Sequence, residues 1–130
     1  MYRWVEHTGE VEMELQAPTE EGIYEEGFAA MRELLAGDAG TAMAPRRVRV
    51  EAPDRAALLA DWLGEIAFLA ESEGLMPERL GSLRLTASAL DAVIEGSRGD
   101  PAHLVKAATY HRLRLEHRDG GWRASVVLDV

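Results

Sequence analysis

The pattern of apolar residues predicts an α+β fold: a single two-layer domain over residues 1–130, with a mostly antiparallel sheet and two main helices. Three observations carry this. Two stretches with helical spacing of apolar residues lie between Thr19 and Gly37 and between Asp54 and Gly74. Strict alternation over 11–17 marks a half-buried strand. An Asp119-Gly120 pair between two alternating runs near the chain end marks a hairpin.

Taken in order, Trp4 to Val5 reads as a short strand. It is followed by a second strand in which Val11, Met13, Leu15 and Ala17 alternate with Glu10, Glu12, Glu14 and Gln16. Thr19 suits a helix N-cap, and Glu20 and Glu21 favour the positive end of the helix dipole. Tyr24, Phe28, Met31 and Leu35 then form one apolar face, and Gly37 ends the helix. Residues 46–51 read as a strand with a basic outer face. Asp54 caps the second helix, whose stripe is Leu59, Trp62, Leu63, Ile66 and Ala70; Gly74 closes it. Asp61 and Glu65 read as its solvated side, while Trp62 and Phe68 read as core or partly surface. Weaker strands are expected over 79–87 and 89–95, around a bend near Ser88, with a loop from Gly96 to Pro101.

Residues 103–117 and 122–129 form the arms of the last hairpin. A tight turn at 118–121 pairs residues whose numbers sum to 239. Glu116 then faces Arg123, Leu113 faces Val126, and Tyr110 faces Asp129 on the same face as Lys106. The whole order is ββαβαββββ.

The chain's 130 residues carry 14 basic and 23 acidic side chains, a net charge of −9, and no cysteine. One domain of this size buries about two-thirds of its unfolded surface and needs no disulfide or metal to fold. The absence of cysteine excludes disulfides, thiolate zinc sites, iron–sulfur clusters and cysteine nucleophiles. The longest apolar run, 56–70, is broken by Asp61 and Glu65, so a membrane span is not expected. Arg3, Glu6 and Glu10 interrupt any signal-peptide pattern, which makes a cytoplasmic protein the expectation.

The charge is uneven: residues 1–26 carry −7, residues 27–97 carry −4 and residues 98–130 carry +2. An acidic front repels phosphate, so autonomous nucleic-acid binding is not expected, whereas a cation or a basic partner suits it. Of the basic residues 13 are arginine, and the one lysine is Lys106. Arginine replaces lysine readily at plain surface sites. A compact ammonium is different chemistry, suited to a phosphate or a carboxylate; the plain alternative is chance retention.

Generic motifs are missing. Neither Gly37-Asp38-Ala39-Gly40 nor Gly96-Ser97-Arg98-Gly99 has the spacing of a phosphate-binding loop. There is no His-Glu-x-x-His, no nucleophile elbow, and no strand mixing aromatic and basic residues as RNA-binding folds do. What remains is a constellation from the two chain ends: Glu6-His7-Thr8-Gly9-Glu10, Lys106-Ala107-Ala108-Thr109-Tyr110-His111, and Leu128-Asp129-Val130.

With Leu59 through Asp61-Trp62-Leu63 and with Gly121-Trp122, these segments resemble the archease family over nearly the whole chain. The Lys106 to His111 block is the most specific part. The resemblance implies a small protein that activates the tRNA-splicing RNA ligase. It promotes guanylylation of a histidine on that partner and supports repeated turnover, while the ligase joins ends bearing a phosphate or cyclic phosphate to hydroxyl ends. It also implies a divalent cation, calcium in some members, held by Glu10, Asp129 and a main-chain or terminal oxygen of Val130, with Lys106 as the activating lysine. His7 and His111 are candidates for the second shell of that cation. Glu10 stands where the family usually has Asp, and Gly9 where it has Ala.

Plainer readings of the same residues exist. Glu10 heads an exposed acidic row that could pair with Arg46, Arg49 or Arg112, each pair contributing about 0–1 kcal/mol. Asp129 reads equally as a frayed terminal residue, and His111 as a hydrogen-bonded core histidine. Two other functions fit the composition: a stand-alone metal-dependent phosphoester hydrolase and a chaperone-like protein-binding module.

Overall fold

The computed structural model describes residues 1–130, with the side chain of Ala39 left out of the description. The elements are β1 (Tyr2–His7), β2 (Glu10–Ala17), α1 (Glu20–Leu35), β3 (Ala39–Ala42), β4 (Arg46–Glu51), α2 (Arg55–Glu73), β5 (Leu75–Leu85), β6 (Ala89–Gly99), β7 (Ala107–Arg118) and β8 (Gly121–Asp129). The α+β class with two main helices and antiparallel pairing is as the sequence predicts, and the strands divide into two sheets. The first has the order β1-β2-β8-β7, so the first and last thirds of the chain interleave. In the second, β5 lines one edge of β6 while β3 and β4 follow one another along the other. Ser97, for example, pairs with both Met76 and Ala42, and Ile94 with both Leu80 and Arg46.

Both helices start at their predicted caps, and α1 ends at Leu35 with Ala36, not Gly37, as its C-cap. The Thr19 hydroxyl accepts a hydrogen bond from the Gly22 amide at 3.0 Å, and the Asp54 carboxylate accepts one from the Ala57 amide at 2.8 Å. Gly74 ends α2 in the left-handed region at φ 68°. The predicted face of α1 (Tyr24, Phe28, Met31, Leu35) is buried. It packs on β2 and β5, while α2 packs on α1, β4, β5 and β7, so both helices bridge the two sheets. Sandwiched in this way, α2 is apolar on most of its circumference, from Ala57 to Ala70. Trp62 is fully buried; its indole N–H donates to the Tyr24 carbonyl at 3.1 Å, and its ring stacks on Phe28. The Tyr24 hydroxyl in turn donates to the Arg55 carbonyl at 2.6 Å, tying α1 to the start of α2.

Four sequence expectations change. The short strand β3 was not anticipated, and β5 begins at Leu75 rather than at 79. The stretch from Gly96 is not a loop: β6 continues through Gly99. A Cβ on Gly96 would collide with the Met76 carbonyl oxygen, and one on Gly99 with that of Asp38. These glycines therefore admit close backbone neighbours within a sheet instead of a turn. The last hairpin is also shorter at its start, because β7 begins at Ala107 rather than at 103.

Candidate functional site

The β1–β2 hairpin closes on Thr8-Gly9, with Gly9 at φ 74°, so that His7 pairs with Glu10. His7 is thus the last residue of β1. Glu10 pairs in turn with Asp129 of β8, and Asp129 with Ala107 of β7. One row of cross-strand neighbours therefore runs His7, Glu10, Asp129, Ala107 across the end of the first sheet. Directly opposed residues share a face, so the Glu10 and Asp129 side chains are neighbours on the face that also carries Glu12 and Glu14. The Lys106 amide donates to the Asp129 carbonyl at 2.8 Å, and the Val130 amide to the Gly9 carbonyl at 3.4 Å. The fold thus gathers Glu10, Asp129, Val130 and Lys106 at one sheet end. Asp129 is not frayed, since β2 and β7 flank it on both sides. Lys106 is exposed and forms no ion pair among the described residues.

The register beside this row departs from the sequence expectation. From Arg118–Gly121 up to Arg114–Ser125 the paired numbers sum to 239, including Glu116 with Arg123 as predicted. Beyond that point Thr109 faces Val127 and Ala107 faces Asp129, so Tyr110 does not face Asp129. Tyr110 to Leu113 occupy the place of a single residue opposite Val126. The result is a bulge of three extra residues, with Arg112 at φ 54°.

The bulge redirects three side chains. The Tyr110 hydroxyl reaches α2 and donates to the Asp61 carboxylate at 2.7 Å, so Asp61 is a tether rather than only a solvated side chain. His111 is exposed, which overturns its reading as a core histidine. Arg112 crosses the sheet toward β2, its Nη2 lying 3.6 Å from Glu10 Oε1 and 3.7 Å from Glu12 Oε1. Of the three arginines considered as partners for Glu10, Arg112 is the one that pairs. Arg46 takes Glu73, and Arg49 takes Glu51 and Asp91.

The hydrogen bond to Asp61 holds the Tyr110 phenol above its ordinary range, with partial burial adding to the effect. A raised phenol pKa means this tether contributes below the unfolded tyrosine pKa and is lost as pH rises through the folded value. Replacing Asp61 by alanine should therefore lower the titration of Tyr110, which an alkaline titration of phenolate absorbance would detect as an earlier rise in one tyrosine.

Glu10, Asp129 and the Val130 carbonyl supply hard oxygen donors, the set suited to calcium or magnesium rather than to zinc or copper. Two like charges placed opposite one another in a ladder repel, and a cation between them relieves that repulsion. Among the described residues no three or more His, Cys, Asp or Glu side chains form a metal-holding group. A cation here would draw its remaining ligands from water and main chain, as calcium does readily. A concavity of about 490 Å³ lies on the same sheet face at the opposite end. It is lined by Arg3, Arg114, Arg118 and Arg123 against Glu14 and Glu116. No helix among the described residues is long and apolar enough to cross a membrane.

Fold and site together define a small α+β protein in which the first hairpin turn and the end of β8 build one oxygen-rich sheet end. The chain belongs to the archease family: the model of the Archease protein family matches residues 2–130. It is 31% identical to the archease of Methanopyrus kandleri, covering 97% of this chain and 96% of that protein. It is 28% identical to the archease of Methanosarcina barkeri, covering 99% and 95%. Among solved structures, protein 1598 of Methanobacterium thermoautotrophicum superimposes with a TM-score of 0.79 at 23% identity, covering 99% of this chain and 98% of that one. A Thermotoga maritima protein described as an archease and possible chaperone superimposes with a TM-score of 0.72 at 21% identity, covering 100% and 98%. At those identities the superpositions speak for the fold.

Sequence reasoning missed the bulge and the Tyr110–Asp61 tether. No glycine or proline between Ala107 and His117 marks the irregularity. The one signal was Arg112 itself, recognisable as a possible partner of Glu10 but not as the residue that spans the sheet.

Proposed function

We propose that this protein activates the tRNA-splicing RNA ligase, promoting guanylylation of the ligase histidine and allowing repeated turnover in RNA ligation. The observation that carries the reading is the convergence of the three motif segments: Glu10, Asp129 with Val130, and Lys106 meet across adjacent strands. Residues so distant in the chain, brought to one exposed end, make a small contact surface suited to a larger partner.

In this reading Glu10, Asp129 and Val130 hold a divalent cation, calcium by preference, with His7 beside Glu10 and His111 on the bulge as outer-shell groups. A bound calcium would supply positive charge that balances the facing carboxylates and orients them. Lys106, with a flexible stem and no ion pair of its own among the described residues, contacts a phosphate or a partner carboxylate. The acidic remainder of the molecule suits a basic RNA-handling partner, and a cytoplasmic setting follows from that partner.

Two measurements bear on this reading. Ligation by limiting ligase, with and without this protein, tests activation itself; activity without any ligase would instead favour a metal-dependent phosphoester hydrolase. For the cation, calorimetric titration of calcium should give heat with the wild type and at least tenfold weaker binding with Asp129→Ala, about one lost carboxylate ligand. Equal isotherms would remove Asp129 from the site.

A further inference from the structure

We propose that Arg112 is a resident counter-ion of the acidic sheet end, one that competes with the cation for Glu10 and couples cation binding to the shape of the β7 bulge. The inference rests on the reading that Glu10 and Asp129 take a divalent cation, and it adds a residue to which neither the family resemblance nor the comparisons give any role.

The geometry is specific to this arginine. Three extra residues in β7 are an irregularity that something must hold, and they are fastened at two points. Tyr110 is tied to Asp61 on α2, and Arg112 to Glu10 and Glu12 on β2. Arg112 adopts φ 54°, a left-handed conformation that a long non-glycine side chain takes only when its surroundings compensate. The compensation is visible: to reach β2 from β7 the side chain must cross β8. The β8 residue between Thr109 and Glu12 is Val127, which is fully buried although it lies on the outer, acidic face of the sheet. Val127 thus stands between β7 and the carboxylates that the Arg112 guanidinium reaches, where a long aliphatic stem can shield it. Glu12 is correspondingly shielded, its side chain only 14% exposed.

Glu10 cannot serve both charges fully. A guanidinium 3.6 Å from its Oε1 already offsets the repulsion between Glu10 and Asp129 that a metal ion would otherwise relieve. Binding of a cation through Glu10 therefore weakens the hold on Arg112, and by linkage the hold of Arg112 on Glu10 weakens cation binding by the same factor. Drawn off Glu10, Arg112 keeps only Glu12, and one of the two fastenings of the bulge, which begins four residues after Lys106, loosens. Cation occupancy at Glu10 is in this way transmitted to the segment carrying the Lys106 to His111 block.

The test is calcium titration by calorimetry on the wild type, Arg112→Ala and Arg112→Gln, with amide hydrogen exchange of the wild type measured with and without saturating calcium. The glutamine variant keeps much of the side-chain length should alanine unfold the bulge. The expected result is calcium affinity about two- to fivefold tighter in both variants, the size of the one Arg112–Glu10 ion pair removed, together with faster exchange at 110–113 when calcium is added to the wild type. Binding by the wild type with unchanged or weaker affinity in the variants, or unchanged exchange at 110–113, would overturn the role of Arg112 and leave the cation site standing. Absence of calcium heat in all three proteins would overturn the cation reading, and this inference with it.

Discussion

Replacing Lys106 by alanine is expected to abolish stimulation of the ligase while leaving the melting temperature where it was. Lys106 is exposed, precedes β7, and forms no ion pair among the described residues, so its ammonium supports nothing within the fold. Its main-chain amide, which donates to the Asp129 carbonyl, survives the substitution and keeps the sheet end in register. A charge-assisted hydrogen bond to a phosphate or carboxylate is worth about 1.5–3 kcal/mol, so the loss in stimulation is roughly tenfold to more than a hundredfold. Arginine at the same position should recover little, since a planar fork does not replace a compact ammonium in a close contact. Normal ligase turnover with the alanine variant would remove Lys106 from the mechanism.

The largest effect on stability is expected at Trp62. Its side chain is wholly buried, its ring stacks on Phe28 with centroids 6.3 Å apart, and its indole N–H satisfies the Tyr24 carbonyl. Trp62→Ala removes the largest side chain of the core and the second hydrogen bond of a carbonyl that α1 already pairs within the helix. The cost is about 3–5 kcal/mol, nearly all of it from the cavity. For a chain of this length that lowers the melting point by roughly 10–20 °C. Trp62→Phe keeps most of the volume but not the hydrogen bond and should cost less. Thermal or urea denaturation separates the two; a loss below about 1 kcal/mol for alanine would contradict the packing described for α2. The consequence reaches the site as well, because the neighbouring residue in α2, Asp61, anchors Tyr110 of the bulge.

These two residues also show how far the sequence can be read. Trp62 lies in a stripe with helical spacing, between a cap at Asp54 and a glycine stop at Gly74, and such local signals specify a helix almost unaided. Asp119-Gly120 specifies its hairpin in the same way, and the register is right for as long as the ladder stays regular. It fails at Leu113, because a bulge without glycine or proline has no local signature. Gly96 and Gly99 mislead in the opposite direction: their composition suggests a loop, while their role is to let backbones approach within a sheet. At the site, the motif residues were legible, but the neighbourhood of Glu10 and Asp129 was not. It depends on β2 pairing with β8, a contact between the first and last parts of the chain that no local pattern encodes. Arg112 illustrates both limits, since its charge was visible in the sequence and its reach depended on the bulge.

The measurement that tests the central claim most directly is RNA ligation by the tRNA-splicing ligase held at limiting concentration, with and without this protein in the presence of calcium. The account predicts that the ligase alone stalls near one turnover, and that adding this protein raises both the guanylylated fraction of the ligase histidine and the number of ligated products per enzyme. Product yield and guanylylation that stay the same when the protein is added would contradict it.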